Sequence, residues 1–256
     1  MKILAARAAR VAGVSLLLTS GSAVAQNLAN DNATAEQPPV PFEATYLAEA
    51  LGLSATAYRT RSFAGEDTYR LENRVTLTLL GATVGTVTEF SEFRLENQRV
   101  VPLLYGYSQT GLSRREELVE FDWNAMSAAS TLDAESWSLI LQEGVQDKMS
   151  YSQSFSHDIG VLGLQEITYS VVDGDEIEEQ TYRVAAEEVL STPLGDLNTV
   201  KIERVRSDNS RRRTTVWLAT DWHYLLVRLE QVNGSGRETN LSLESATVNG
   251  EVLRGL

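Results

Sequence analysis

Hydrophobic and polar residues alternate along most of the chain that follows residue 40. Between Tyr69 and Gly111, β-branched and aromatic residues alternate with polar ones, and short polar turns interrupt the pattern. A period of two is typical of β-strands whose two faces meet different surroundings. Short turns connect antiparallel strands, whereas parallel strands need long crossovers. The pattern therefore predicts one all-β domain over 41–256, a long antiparallel meander that forms a curled sheet, an open barrel or a sandwich.

One hairpin and one helix are predicted more specifically. The turn at Thr192–Leu197 contains Pro193 and Gly195, whose preferred φ angles suit a tight turn, so the strands on either side should pair. Apolar residues recur at helical spacing over 144–160. This spacing predicts a single short amphipathic helix that lies across the sheet.

The first 25 residues have the pattern of a secretory signal peptide. Lys2, Arg7 and Arg10 precede a short apolar run, and the small residues after that run end at Ala25. The run from Val11 to Leu18 is too short to span about 30 Å of hydrocarbon. We therefore predict cleavage after Ala25 and a periplasmic location for the mature protein.

The mature chain is predicted to begin with a linker and to be strongly acidic. Residues 26–40 are polar and include two prolines, which is typical of a flexible linker. Loss of the three basic residues of the signal peptide changes the formal net charge from −13 to −16. A chain of this charge repels phosphate backbones and anionic headgroups. We predict that the protein does not bind nucleic acid and is not an integral membrane protein.

The residue inventory argues against catalysis and metal binding. The chain has no cysteine, and its two histidines, His157 and His223, do not occur in a metal-binding or nucleophile motif. The segment around Ser108 lacks the second glycine of a nucleophile elbow and does not open a helix, so Ser108 is interpreted as a strand serine. The acidic cluster at 173–179 does not have the spacing of a calcium loop. We predict no catalytic residue, no metal site and no cofactor, and hence a protein that is not an enzyme.

Residues 214–230 supply the candidate ligand-binding residues, because two tryptophans, a tyrosine and a histidine occur within eight positions there. One interpretation is that these side chains are core anchors of a sheet covered on both faces. The other is that they line a groove for an apolar ligand such as an acyl chain. The candidates are Trp217, Trp222, Tyr224, Leu226 and Arg228.

Two motifs in the carboxy-terminal part resemble a known family. The matching residues are Thr192, Pro193, Leu194, Gly195, Leu197, Thr199, Val200 and Lys201, then Trp217, Leu218, Ala219, Asp221, Tyr224, Leu225, Val227 and Arg228. They are similar to motifs of domain-of-unknown-function family 3108, an uncharacterised family of exported bacterial β proteins. Leu226 departs from the pattern, because the family has proline there. A non-proline residue keeps the backbone donor that an unbroken strand needs.

The resemblance implies an exported, largely antiparallel β protein, and it brings no established activity. The chain is less closely similar to the periplasmic lipoprotein carriers, in which a curled open sheet holds acyl chains against a helical lid.

Three functions are compatible with the sequence. The first is a non-catalytic periplasmic binding or carrier module for an apolar or amphiphilic envelope molecule, which predicts a cavity beside Tyr224 and Leu226. The alternative is a structural or interaction protein that docks an envelope partner through a sheet edge, which predicts a filled core and a long unprotected edge. An outer-membrane barrel is disfavoured by the acidic surface, the missing aromatic girdle and the lack of a terminal aromatic residue.

Overall fold

The structure is a computed structural model that describes residues 38–50, 52–111 and 113–255. The predicted signal peptide, 1–25, and the predicted linker up to residue 37 lie outside the described residues. The strands are β1 Phe42–Ala50, β2 Leu53–Phe63, β3 Tyr69–Leu79, β4 Ala82–Glu96, β5 Arg99–Gly111, β6 Arg115–Asp122, β7 Ser127–Leu132, β8 Glu135–Ile140, β9 Glu166–Asp173, β10 Glu176–Thr192, β11 Gly195–Arg204, β12 Arg213–Ala219, β13 Leu225–Val232, β14 Glu238–Val248 and β15 Glu251–Val252. The helical elements are α1 Tyr151–Phe155, a π-helical turn Ser156–Val161 and a 3₁₀ turn Thr220–Trp222.

The fifteen strands of the described chain form one antiparallel sheet. Its order is β8-β7-β6-β5-β4-β3-β2-β1-β14-β13-β12-β11-β10-β9, and β15 pairs with β14 beside this path. The end strands β8 and β9 do not pair with each other, so the sheet is not closed into a barrel. The predicted antiparallel meander is confirmed, and of the three predicted forms the structure adopts the curled open sheet.

β1 joins the two halves of the sheet. Phe42 lies opposite Arg61 of β2 on one side and opposite Val248 of β14 on the other. The strands β2–β8 extend from one edge of β1, and the strands β9–β14 lie beyond the other. The amino-terminal strand of the domain is therefore held in the middle of the sheet by its two ladders of hydrogen bonds.

The predicted hairpin at Thr192–Leu197 is confirmed. Thr192 at the end of β10 lies opposite Gly195 at the start of β11, and its hydroxyl donates to the Gly195 carbonyl at 2.7 Å. Gly195 has a φ of 107°, which favours glycine. A Cβ atom added there would lie 3.0 Å from the Cα atom of Gly255. The tight turn thus also provides space for the carboxy-terminal segment.

The predicted short helix is confirmed, but it begins later than the sequence indicated. The prediction covered 144–160, whereas α1 starts at Tyr151. The reason is that Gln146 pairs with β9, where its N–H donates to the Ser170 carbonyl at 2.8 Å and its carbonyl accepts the Val172 N–H at 2.9 Å. A residue held in this bridge cannot belong to a helix.

The connection between β8 and β9, residues 141–165, lies inside the curl. Lys148 in this connection reaches Glu117 of β6 at 2.7 Å and Asp173 of β9 at 2.6 Å, so the two ends of the sheet lie close together. The largest fully buried side chains belong mainly to the strands around it and include Tyr46, Leu71, Phe93, Tyr105 and Val119. None of the helices in the described ranges is long and apolar enough to cross a membrane.

Candidate functional site

A cavity of about 570 Å³ lies between α1 and the inner face of the curled sheet. Its walls come from β1–β5 on one side, from β12–β14 on the other, and from the helical connection. The volume falls within the range of about 300–1,000 Å³ that is typical of small-molecule sites. The cavity is therefore the first candidate for a functional site.

The wall formed by β12–β14 is apolar. Val216 lies opposite Leu229, and Leu229 lies opposite Leu241, so these three side chains share one face of the sheet. Leu218 and Leu226 form the next pair along the same two strands. All five residues line the cavity. Thr214, Gln231 and Thr239 form a polar row at one end of this wall, and the apolar remainder can bury a hydrocarbon chain.

The opposite wall carries a cluster of polar side chains beside a few apolar ones. Arg59, Asn73 and Glu89 lie side by side on β2, β3 and β4, and all three line the cavity. Arg59 Nη1 donates to Asn73 Oδ1 at 2.9 Å, and Asn73 Nδ2 donates to Glu89 Oε2 at 3.2 Å. Tyr105 donates to the second oxygen of Glu89 at 2.8 Å. The pKa of Glu89 is raised overall, because burial raises it by more than these two hydrogen bonds lower it.

The helix α1 is attached to the polar wall by side-chain hydrogen bonds. Arg59 Nη2 donates to Ser152 Oγ at 3.2 Å. Arg61, two residues further along β2, donates from Nη1 to Gln153 Oε1 at 2.8 Å. The same helix therefore forms one boundary of the cavity and orients both arginines.

An aromatic cluster holds the helix on the far side. Tyr151 stacks on Tyr182 of β10 with ring centroids 5.2 Å apart, and Phe155 meets the edges of Tyr169 and Tyr182 at 5.8 and 5.5 Å. Such pairs contribute roughly 0.5–1.5 kcal/mol each beyond the burial of area. The helix is thus packed against β9 and β10 by aromatic contacts and against β2 by polar ones.

Asp147 organises the turn that precedes α1. Its Oδ1 accepts the N–H groups of Met149 and Ser150, both at 2.7 Å, and its Oδ2 accepts the Ser91 hydroxyl of β4 at 2.6 Å. The Asp147 N–H donates to Ser150 Oγ at 2.9 Å, which makes the pair reciprocal. Burial raises the pKa of Asp147 to about 6, although these hydrogen bonds act in the opposite direction. One buried carboxyl group therefore attaches the helical connection to the sheet.

The polar groups of the cavity suit recognition of a ligand's polar group. The arginines offer several N–H donors in a planar arrangement, and Asn73 and Glu89 offer acceptors. Within 38–50, 52–111 and 113–255, no group of three or more His, Cys, Asp or Glu side chains is placed to hold a metal ion.

Three of the five sequence-predicted residues line the cavity. They are Trp222, Tyr224 and Leu226, whereas Trp217 and Arg228 do not line it. The strand β13 begins only at Leu225, because the 3₁₀ turn is followed by His223 and Tyr224 with φ angles of 54° and 58°. Residues 222–224 therefore do not belong to a strand, and two left-handed residues direct this segment to the cavity.

Trp217 and Arg228 lie on the face of the sheet away from the cavity, Trp217 through the alternation along β12 and Arg228 through a β-bulge in β13. Trp217 lies opposite Arg228, whereas the adjacent Leu218 lies opposite Leu226, so β13 has one extra residue there. Trp217 donates from Nε1 to Glu188 Oε1 at 2.6 Å. The Arg228 guanidinium and the Lys201 ammonium group each lie 5.4 Å from its ring. Trp217 is thus a buried anchor on the face of the sheet away from the cavity.

Tyr224 contacts the π-helical turn that follows α1. A Cβ atom added at Gly160 would lie 2.7 Å from the Oη atom of Tyr224. The absence of a side chain at Gly160 therefore permits the close approach of the tyrosine. This contact joins the helical connection to the turn before β13 at one end of the cavity.

Sequence reasoning missed the polar half of the site. Arg59 and Arg61 alternate with Tyr58, Thr60 and Ser62, so both faces of β2 are polar and the pattern does not indicate which is inside. Asp147 did carry a signal, because an Asp-x-x-Ser spacing before a helix permits the reciprocal hydrogen bonds described above.

Comparison with known proteins identifies a family and a fold. The family described as "Protein of unknown function (DUF3108)" matches residues 42–242. No relative was found among curated proteins. Among solved structures, the chain is similar to a β-barrel-like protein of domain of unknown function DUF1849 from Brucella abortus, with a TM-score of 0.55 and 9% identity over 82% of this chain and 98% of that one. At this identity the likeness shows the fold alone.

Proposed function

Since the chain belongs to the DUF3108 family, whose function is unknown, we propose its role from the cavity itself. The protein is an exported, periplasmic, non-catalytic module that binds or carries an apolar or amphiphilic molecule of the cell envelope. The observation that carries this proposal is a cavity of about 570 Å³ with one apolar wall and one polar wall. Export is supported by the signal-peptide pattern that ends at Ala25.

The contrast between the two walls supports an amphiphile over a wholly apolar ligand. A hydrocarbon chain against Val216, Leu229 and Leu241 gains about 0.8 kcal/mol for each buried CH₂ group. The same chain against Arg59 and Glu89 would remove polar groups from water without new hydrogen bonds. A molecule with a polar end and an apolar chain satisfies both walls.

The alternative of docking through a sheet edge has weaker support. β8 pairs only with β7 among the described strands, and Ile140 at its end is 84% exposed. However, β8 has only six residues, and a short edge strand offers few backbone groups to a partner. The unfilled interior also differs from the filled core that this alternative predicts.

Native mass spectrometry of the protein purified from the periplasm tests the proposal. We expect the mature chain to begin at Gln26 and to carry a non-covalent adduct of lipid size. Such an adduct is expected because contact with a hydrocarbon chain removes the apolar wall from water, which is favourable. A denaturing spectrum of the same sample is the control and should give the mass of the chain alone. A folded protein with no adduct, before and after incubation with an envelope lipid extract, would contradict the carrier role.

A further inference from the structure

Two arginines bring positive charge to the cavity without a carboxylate partner. Arg59 and Arg61 occupy alternate positions of β2, so their side chains project to the same face. Their acceptors on β3 and α1 are the neutral side chains described above, and Arg61 Nε also donates to the Val40 carbonyl at 2.7 Å. Among the residues that the structure describes, neither arginine forms a salt bridge within 4.0 Å.

Burial makes this pair of charges unfavourable unless an anion lies beside them. Arg61 is only 9% exposed, and burial together with the nearby charge of Arg59 lowers its pKa to about 10. Burial also lowers the pKa of Arg59. Buried charges in proteins are normally paired, because an ion loses its hydration when it is removed from water. An anion between the two arginines would compensate both.

The acidic and basic neighbours do not remove this need. The charge of Glu89 acts to raise the pKa of Arg59, but Asn73 lies between the two groups and both oxygens of Glu89 already accept hydrogen bonds. Burial also raises the pKa of Glu89, which favours its neutral form. Lys148 also lines the cavity, but its charge is already paired with Glu117. It is therefore less available to an anion than the two arginines are.

We infer that the ligand is an amphiphile with an anionic head, a carboxylate or a phosphate, that binds between Arg59 and Arg61. Its apolar chain lies along Val216, Leu229 and Leu241. The guanidinium group suits this role because its planar N–H donors match the oxygens of carboxylate and phosphate. The acidic surface still repels anionic membranes, whereas the two arginines act locally inside the curl. This inference rests on the proposed function and names the chemical class of its ligand.

A series of twelve-carbon probes with different heads tests the inference on the wild-type protein. We expect isothermal titration calorimetry to show dodecyl phosphate bound at least about tenfold more tightly than 1-dodecanol, because a charged head adds charge-assisted hydrogen bonds. Inorganic phosphate alone should bind at least about tenfold more weakly than dodecyl phosphate, since it lacks the chain. Dodecyltrimethylammonium should bind most weakly.

Arg59→Met provides the matched variant. It keeps an unbranched side chain of similar length and removes the charge, so we expect at least about tenfold weaker binding of dodecyl phosphate and little change for 1-dodecanol. Arg74→Met is the control, because Arg74 is an exposed residue of β3 that pairs with Glu72 on the outer surface. Thermal unfolding of each variant shows whether it is folded.

The outcomes separate the inference from the proposed function. Equal binding of dodecyl phosphate and 1-dodecanol would overturn the anionic head and leave the apolar cavity supported. If inorganic phosphate binds as tightly as dodecyl phosphate, the anion site is supported and the apolar cargo is contradicted. If no probe binds to the folded wild-type protein, both proposals fail.

Discussion

Val216→Trp is expected to weaken the binding of dodecyl phosphate by about a hundredfold. Val216 lies in the apolar wall, opposite Leu229, and the indole ring would occupy space that a hydrocarbon chain needs. If the ring displaces about four CH₂ groups, the loss is about 3 kcal/mol at about 0.8 kcal/mol for each group. The free energy of unfolding should change by less than about 3 kcal/mol, because the cavity accommodates much of the added volume.

Thr215→Trp is the matched control for this variant. Thr215 precedes Val216 in the same strand and lies opposite Glu203 and Glu230 on the other face of the sheet. Calorimetric titration of the two variants with the same probe compares one substitution on two faces. Equal affinities for the two variants would show that the ligand does not occupy the cavity.

Asp147→Ala is expected to lower the free energy of unfolding by about 3 kcal/mol or more. The variant leaves the N–H groups of Met149 and Ser150 and the hydroxyl of Ser91 without their acceptor in a buried turn. A buried polar group without a partner costs about 1–3 kcal/mol. Because this turn holds α1 against the sheet, the variant should also bind dodecyl phosphate more weakly. Urea unfolding followed by tryptophan fluorescence measures the first effect.

Asp147→Asn separates the hydrogen bonds from the charge. The amide oxygen can still accept both N–H groups, and the amide nitrogen can donate to Ser91, so the turn should persist. In the wild-type protein the pKa of Asp147 is raised from 3.8 to about 6 on folding. Between these values the folded state binds the proton more strongly than the unfolded state. The stabilisation from this group is therefore present near pH 4 and is lost as the pH rises to about 6.

The difference between Asp147→Asn and the wild-type protein should consequently depend on pH. The variant lacks the titration, so its stability relative to the wild type should rise by about 3 kcal/mol from pH 4 to pH 7. Urea midpoints measured across this range give the comparison. If the stability difference between the variant and the wild type does not change with pH, the raised pKa of Asp147 is contradicted.

The meander could be predicted because each of its signals is local. Alternation identifies strands, and short turns such as Thr192–Leu197 indicate that neighbouring strands pair antiparallel. The full strand order could not be predicted, because β1 pairs with β14, which is distant in sequence. The start of α1 could not be predicted, because the backbone bridge between Gln146 and β9 joins residues that are distant in sequence. Local signals likewise do not show whether β8 and β9 pair with each other, because that depends on the curl of the whole sheet.

The apolar half of the cavity was partly predictable, and the polar half was not. Trp222, Tyr224 and Leu226 were found from aromatic density, and they do line the cavity. Trp217 belongs to the same segment but lies between two cavity-lining residues of its strand, on the other face, and a bulge turns Arg228 away from the face of Leu226. The sequence does not indicate where such a bulge lies, because the inserted residue is of a type that is common in strands.

The most direct measurement is a crystal structure of the protein with 12-bromododecanoic acid, in which bromine can be located by anomalous scattering. We expect one bromine peak within about 4 Å of Leu226, Leu229 or Leu241. We also expect that the carboxylate lies within hydrogen-bond distance of Arg59 or Arg61. Bromine bound only outside the curl, or an empty cavity in crystals soaked to saturation, would contradict the claim that this sheet encloses an amphiphile.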